Sequence, residues 1–388
     1  MLLSIRIVNF TEVVDMIYKN VIGGERIMKK SIKTISILIC SIIFMNGCSS
    51  KNRNQSVTTP SATIATNSQA ASTTQAELPK LSEYYPFEKN VKYIYEGSGN
   101  EYASYNLYND YFNENKIQQR TNNGGTEAVR VIELNAGKLT RTFLRGEVYY
   151  RENFLDKSEG EPEILLMEPI IVGNSWKIKD SQKRTITNTA AEVETPMGNY
   201  KAIEVTTETP DGKNIDYYAK NIGLVKTIFI TGDFKVISVL KSIEKEVPLV
   251  SSVKLYYPVK DNDKLHYISK DIAFYTNDIT KQKLAQTYKE VAENILGRPL
   301  TTSIAVNSLY LNNDRKVYVD MNSAFIEEIN KNKAYERGIL QSIANTLGNY
   351  YNAQEVVLTI EGKLYKSDNI TMKKGEAIKV NDEGSIKD

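Results

Sequence analysis

The sequence predicts an α+β protein: an antiparallel β-meander forming a curved sheet, followed by a small α+β sandwich with the order ββαββαβ. Three observations carry this. The 25 tyrosines, against one tryptophan and 10 phenylalanines, suit half-buried strands whose hydroxyls stay wet. Between Leu81 and Glu246 apolar and polar residues alternate at period two with little helical spacing, and turn signals recur at short intervals. After Val247-Pro248, alternating stretches take turns with stretches in which apolar residues recur one helical turn apart.

An export signal precedes the meander. Lys29, Lys30 and Lys33 lead into an apolar run from Ile35 to Met45, which ends in Asn46-Gly47-Cys48. A charged start, a short apolar centre and a small residue before the cut make residues 28–47 a signal peptide cleaved between Gly47 and Cys48. The apolar run is about half of the roughly 20 residues that span a bilayer, so a transmembrane helix is not expected. A cysteine directly after the small residue resembles the lipobox of bacterial lipoproteins, although Met45 and Asn46 stand where a leucine and a small residue are usual. The resemblance implies a diacylglycerol on Cys48, the first residue of the mature chain, and a location at the extracytoplasmic face of the cell membrane. Glu12, Asp15, Glu25 and Arg26 are foreign to the start of an export signal, and codons for Gly23-Gly24-Glu25 can spell a ribosome-binding sequence. Translation is therefore expected to start at Met28, with residues 1–27 an upstream extension.

Residues 48–80 are rich in Ser, Thr, Ala, Gln and Asn, bury too little apolar surface to offset ordering, and read as a disordered tether. Cys40 leaves with the signal, so no disulfide is expected and stability must come from cores. With 49 Lys+Arg against 47 Asp+Glu there is no basic reservoir, which argues against nucleic acid as a partner. About 300 residues remain, enough for two domains.

Within the β-rich domain, 81–246, strands are expected at 91–95, 103–112, 129–134, 138–144, 147–150, 184–193, 200–207, 215–219 and 223–230, with turns at 97–100, 122–125, 135–137 and 210–212. Trp176 reads as a core or rim residue. Glu159, Glu161, Glu163 and Glu168 read as a solvated loop, because Pro162 and apolar residues separate the acids that a calcium loop would need close together. A curved sheet of this kind could enclose a lipid, peptide or glycan, which gives an alternative function of ligand carriage.

In the last third, 252–257 and 265–269 read as strands. A helix opens at Thr280 with Leu284, Tyr288, Val291 and Ile295 on one face and ends at Gly297-Arg298-Pro299. Strands at 303–311 and 317–321 flank the turn Asn312-Asn313-Asp314. A second helix, 334–350, carries Tyr335, Ile339, Ile343 and Leu347 on one face and feeds a strand at 355–360, the turn Glu361-Gly362 and residues 363–365. Helices on one face of a small sheet are the expected arrangement.

Five segments in this order, LYYP (255–258), ILGRPL (295–300), VYVDMN (317–322) with Phe325, LQSIANTL (340–347) and VVLTIEG (356–362), resemble the GerMN domain of sporulation and spore-germination proteins. The resemblance covers 247–366 and leaves 367–388 as a tail. Its signature positions are Tyr257, Pro258, Gly297, Pro299, Asp320, Phe325, Ile343, Asn345, Thr346, Leu347 and Gly362. Well-known members carry two such domains in tandem, whereas the first half of this chain holds no copy. The resemblance implies a fold related to ring-building modules that pack against copies of themselves or relatives. A sheet edge or an amphipathic helix would supply the docking surface.

Reactive constellations are sparse. His266 is the only histidine and has no partner set for a metal or a hydrolytic triad. Gly124-Gly125 reads as a turn, and Asp320 near Glu327-Glu328 reads as the cap of a following turn. No catalytic residue, cofactor or metal site is expected. The sequence reading is a non-enzymatic, lipid-anchored envelope protein acting in sporulation or germination as an assembly scaffold, with envelope proteins or its own copies as partners.

Overall fold

The alternation in the first half and the mixed pattern in the second fold as α+β, mostly strand with few helices. The computed structural model describes residues 79–179, 182–210, 212–259, 264–290 and 298–388. The start at Met28, the signal peptide with Gly47, the lipid site Cys48 and the tether up to residue 78 lie outside the described residues. So do Gly297 and the Val291 and Ile295 positions.

A short helix, α1 (Leu81–Tyr84), leads into β1 (Val91–Ser98), β2 (Tyr105–Phe112), β3 (Lys116–Asn122), β4 (Glu127–Asn135), β5 (Lys138–Gly146) and β6 (Glu163–Met167). Then follow β7 (Ser175–Lys177), β8 (Lys183–Thr195), β9 (Gly198–Thr209), β10 (Gly212–Ala219), β11 (Gly223–Thr231) and β12 (Phe234–Lys245). They form one antiparallel sheet of 12 strands in the order β6-β5-β4-β3-β2-β1-β12-β11-β10-β9-β8-β7. Two meanders are thus joined where β1 pairs with β12. The sheet coils on itself. Ile117, Ile132, Leu139 and Leu166 from one meander pack against Ile186, Ile203, Val205 and Tyr218 from the other. Its two ends meet through side chains: Trp176 Nε1 donates to the Ile164 carbonyl at 3.0 Å and Arg184 donates to the same carbonyl at 2.6 Å. A second inner cluster joins Val91, Tyr93, Tyr95 and Leu107 to Val193, Ala202, Val225 and Leu240.

Several expectations in this half change. Residues 147–150 are not a strand, because Glu147 adopts a left-handed conformation (φ 57°) that takes the chain out of the ladder. β3, β6, β7 and β12 are not among the expected strands. β3 is buried on both faces through Gln118, Gln119 and Arg120, so it shows no apolar alternation. The acidic stretch is not a solvated loop throughout: Glu163 begins β6 between Arg141 and Arg184, and Glu159 accepts from Arg145 Nε at 2.9 Å.

The second half comprises β13 (Leu249–Pro258), β14 (Leu265–Phe274), α2 (Thr280–Lys289), β15 (Val306–Leu311), β16 (Val317–Met321), α3 (Ala324–Lys331), a 3-10 turn (Lys333–Tyr335), α4 (Glu336–Tyr351), β17 (Glu355–Ile360), β18 (Lys363–Leu364), β19 (Ile378–Lys379) and β20 (Ile386–Lys387). The order differs from ββαββαβ by α3, an amphipathic helix that buries Phe325 and Ile329 one turn apart. There are also two small sheets rather than one, β13-β14-β20 and β15-β16-β17-β18, and α4 packs against β13 of one and β17 of the other. Residues 367–388 are not a loose appendage. β19 pairs with β17, β20 runs parallel to β14, and Val380 covers Gly348 so closely that a Cβ there would lie 2.1 Å from its Cγ2.

One hydrophobic core crosses the junction near residue 247. Tyr111, Val129, Val131 and Phe143 on the outer face of the large sheet, with Tyr150 and Phe154 from the segment after β5, share it with Phe274, Leu284, Ile343, Leu347 and Tyr351. Strands β2 to β5 are therefore covered on both faces.

Candidate functional site

The signature positions serve the fold in separate places. Asp320, on β16, accepts hydrogen bonds from Asn307 Nδ2 at 2.9 Å, Thr359 Oγ1 at 2.6 Å and the Gly362 amide at 2.7 Å, so it pins the β17–β18 turn rather than capping the turn that follows it in sequence. Gly362 takes a φ of 73° in that turn, a conformation glycine adopts without a Cβ clash. Burial raises the Asp320 pKa, but the hydrogen bonds from Thr359, Asn307 and Gly362 outweigh it and hold the carboxyl below its ordinary value. Phe325 is fully buried against the Tyr365 ring at 6.2 Å, and Ile343 and Leu347 line the core side of α4. Asn345 donates to the Asn381 carbonyl at 2.7 Å and accepts the Asn381 amide at 2.9 Å, clasping the C-terminal segment. Thr346 accepts the Tyr256 amide at 2.9 Å and donates to the Tyr288 hydroxyl at 3.2 Å. Pro258 abuts Gly338, where a Cβ would lie 2.8 Å from the proline Cβ, and Pro299 is buried. Tyr257 donates its hydroxyl to Asp388, whose other oxygen lies 2.8 Å from His266 Nδ1. These two hydrogen bonds lower the Asp388 pKa.

Sequence reasoning missed a buried charge cluster where the large sheet meets the second half. Asp110, Arg120 and Arg151 are almost wholly buried. Arg120 Nε donates to Asp110 Oδ2 at 3.2 Å, Nη1 to Glu127 at 2.9 Å and Nη2 to the Tyr150 carbonyl at 2.8 Å. Burial lowers the Arg120 pKa, yet Asp110 and Glu127 outweigh it and leave it raised. Arg151 bridges the halves. Nη2 donates to the carbonyls of Asp110 at 2.8 Å and Tyr275 at 3.1 Å, and Nη1 reaches the Tyr111 hydroxyl at 2.6 Å, Thr280 Oγ1 at 3.1 Å and the Asp278 carbonyl. The Arg151 guanidinium also lies 4.0 Å from the centre of the Tyr111 ring. Only a polar reading of the stretch KIQQR as a doubly covered strand would have flagged this cluster.

The docking surfaces expected from the resemblance are largely closed. The free edge of β15 is capped at Leu311, whose amide donates to Glu152 Oε2 at 3.1 Å, and at Asn307, whose carbonyl accepts from Lys281. Helix α4 buries most of its surface between two sheets. What lies open is the face of the β15–β18 sheet turned away from the helices. There Tyr310, Tyr318 and Val357 form a row in register across three strands, with Tyr310 40 % exposed, its ring stacked on Tyr318 at 5.6 Å, and Leu364 47 % exposed nearby. Among the described residues no three His, Cys, Asp or Glu side chains are grouped as a metal site needs, and no helix is long and apolar enough to cross a membrane.

Residues 254–366 match the family described as Germane, sporulation and spore germination. No curated protein matches the chain. Among solved structures, the chain is similar to a protein described as exported, with a YmcC-like fold, from Bacteroides fragilis (14 % identity, covering 41 % of this chain and 98 % of that one, TM-score 0.26). It is also similar to a protein described as a lipoprotein from Parabacteroides distasonis (12 % identity, covering 42 % and 98 %, TM-score 0.27). A third is the first GerMN domain of the sporulation protein GerM from Bacillus subtilis (19 % identity, covering 34 % and 95 %, TM-score 0.25).

Proposed function

We propose, from the match of residues 254–366 to the Germane (GerMN) family, that the chain is a lipid-anchored, non-enzymatic envelope protein that acts in sporulation or spore germination as an assembly scaffold. The family match is the observation that carries this reading. Packing supports a scaffold: the continuous core from Val131 and Phe143 to Ile343 and Tyr351 holds the Germane domain firmly on the large sheet. Cys48, once acylated, fixes the chain at the membrane, and the tether lets the folded part stand off it. The open row Tyr310, Tyr318 and Val357 is the surface for an envelope partner or a second copy, because aromatic side chains give large contact area at low entropic cost. The singled-out titratable groups serve the fold: Asp320 holds a turn and His266 holds Asp388.

The test is genetic. A strain making the full chain with Tyr310→Asp and Tyr318→Asp should form fewer spores, or germinate more slowly, while the protein accumulates and folds as the parent does. Normal spore yield and germination in a strain lacking the protein altogether would overturn the reading.

A further inference from the structure

Residues 81–246 contain six arginines, and five of them, Arg120, Arg141, Arg145, Arg151 and Arg184, lie within ion-pair distance of a carboxylate. Arg130 is the exception. It projects from β4 on the inner face of the coiled sheet, on the side of Ile132, and is half-buried. Among the described residues its guanidinium meets only neutral acceptors: Nε and Nη2 donate to Gln119 Oε1 at 3.1 and 2.9 Å, and Nη2 donates to the Tyr85 hydroxyl at 3.3 Å. The Gln119 oxygen is held in place from the other side, since the Gln119 Nε2 donates to Asn109 Oδ1 at 3.0 Å. Nη1 has no partner among the described residues.

The surroundings are built for a negative group. Tyr85, which accepts from Arg130, and Tyr218 lie in the inner cluster that Ile132 joins on the same face as Arg130. The Tyr105 ring stacks on Tyr95 at 4.4 Å, and Tyr218, only 4 % exposed, bonds no described residue through its hydroxyl. Further along the same face Arg141 and Arg184 share Glu163, and Asp216 is held by Thr227 and Asn214, so three guanidiniums face two carboxylates. A half-buried guanidinium with no carboxylate at ion-pair distance is only partly compensated, and its planar fork matches an oxyanion.

We propose that the inner face of the large sheet binds an oxyanion at Arg130, with Nη1 and the Tyr218 hydroxyl as donors. The ligand carries a carboxylate or phosphate. Filled apolar clusters on the same face make it the size of a head group rather than a long acyl chain. This site is independent of the scaffold role and of the Germane domain.

The test uses the full chain in detergent micelles, titrated calorimetrically with inorganic phosphate and with acetate, each against chloride at equal ionic strength. Saturable binding of one or both is expected. Arg130→Met should weaken it by about tenfold or more, and Tyr218→Phe by about threefold, as loss of a charge-assisted and of a neutral hydrogen bond predicts. Phosphate binding alone assigns a phosphorylated ligand, and acetate binding alone a carboxylate. Phosphate and acetate behaving as chloride does, or a folded Arg130→Met chain binding as the parent does, would overturn the site. Should Arg130→Met fail to fold, judged by Trp176 fluorescence, unchanged affinity in Tyr218→Phe overturns it instead.

Discussion

Arg151, in the segment between β5 and β6, donates through Nη2 to the carbonyl of Tyr275 at 3.1 Å, just past the end of β14, and so ties the two halves of the chain together from a site with no exposed surface on its side chain. Its partner charge is less well met. Asp110 Oδ1 lies 3.9 Å from Arg151 Nε, and neither atom makes a hydrogen bond. Removing the arginine alone leaves the buried group of Asp110, Arg120 and Glu127 with one uncompensated negative charge and several carbonyls without a donor, so Arg151→Met is expected to lower the unfolding free energy by about 3–5 kcal/mol. The double variant Asp110→Asn, Arg151→Met should recover part of that loss. Urea midpoints of the two variants against the parent check it.

A shared core implies shared unfolding. Trp176, the only tryptophan, reports on the large sheet, whereas much of the helical signal comes from α2, α3 and α4 in the second half. Trp176 fluorescence and far-UV circular dichroism should therefore give coincident denaturant transitions. Two separated midpoints would show that the halves unfold independently.

The C-terminal segment should behave as part of the fold. Gly348→Ala drives a methyl into Val380, and the displacement of β19 is expected to cost about 1–3 kcal/mol, as overpacking does. Amide hydrogen exchange in residues 376–388 should accelerate in Gly348→Ala. Val380→Ala in the same chain should restore protection.

Acid should loosen the β17–β18 turn. The Asp320 pKa is lowered in the folded chain, so its stabilising contribution is present above the ordinary carboxylate value of about 3.9 and is lost as pH falls through the still lower folded value. Asp320→Asn should be less stable at neutral pH, yet its stability should fall less than the parent's below about pH 4. Thermal unfolding of the two proteins between neutral and acid pH reads the difference.

Much of this architecture was legible because one face of each strand met water. The strands at 91–95, 200–207 and 317–321, and the helix around Ile339, Ile343 and Leu347, announce themselves by periodicity, and their observed counterparts are β1, β9, β16 and α4. β3 escaped because the outer face of the large sheet is itself covered, so Gln118 and Arg120 stand where alternation would place solvent-facing residues. Arg151 escaped for the same reason: a charged side chain after Tyr149-Tyr150 reads as surface until the second half of the chain is laid over it. The family resemblance located the stretch that matches the Germane family, residues 254–366. It could not show that Asp320, Asn345 and Thr346 hold turns and strands, because their partners Gly362, Asn381 and Tyr256 are assembled only by the fold.

The most direct measurement of the scaffold reading is photo-crosslinking in sporulating cells from a benzoylphenylalanine placed at Tyr310, with Met197, 42 % exposed on the large sheet, as the control position. A discrete adduct with an envelope protein or a second copy, formed from position 310 and lost when Tyr318→Asp is added, is the expected result. No adduct from position 310, or the same adducts from position 197, would contradict it.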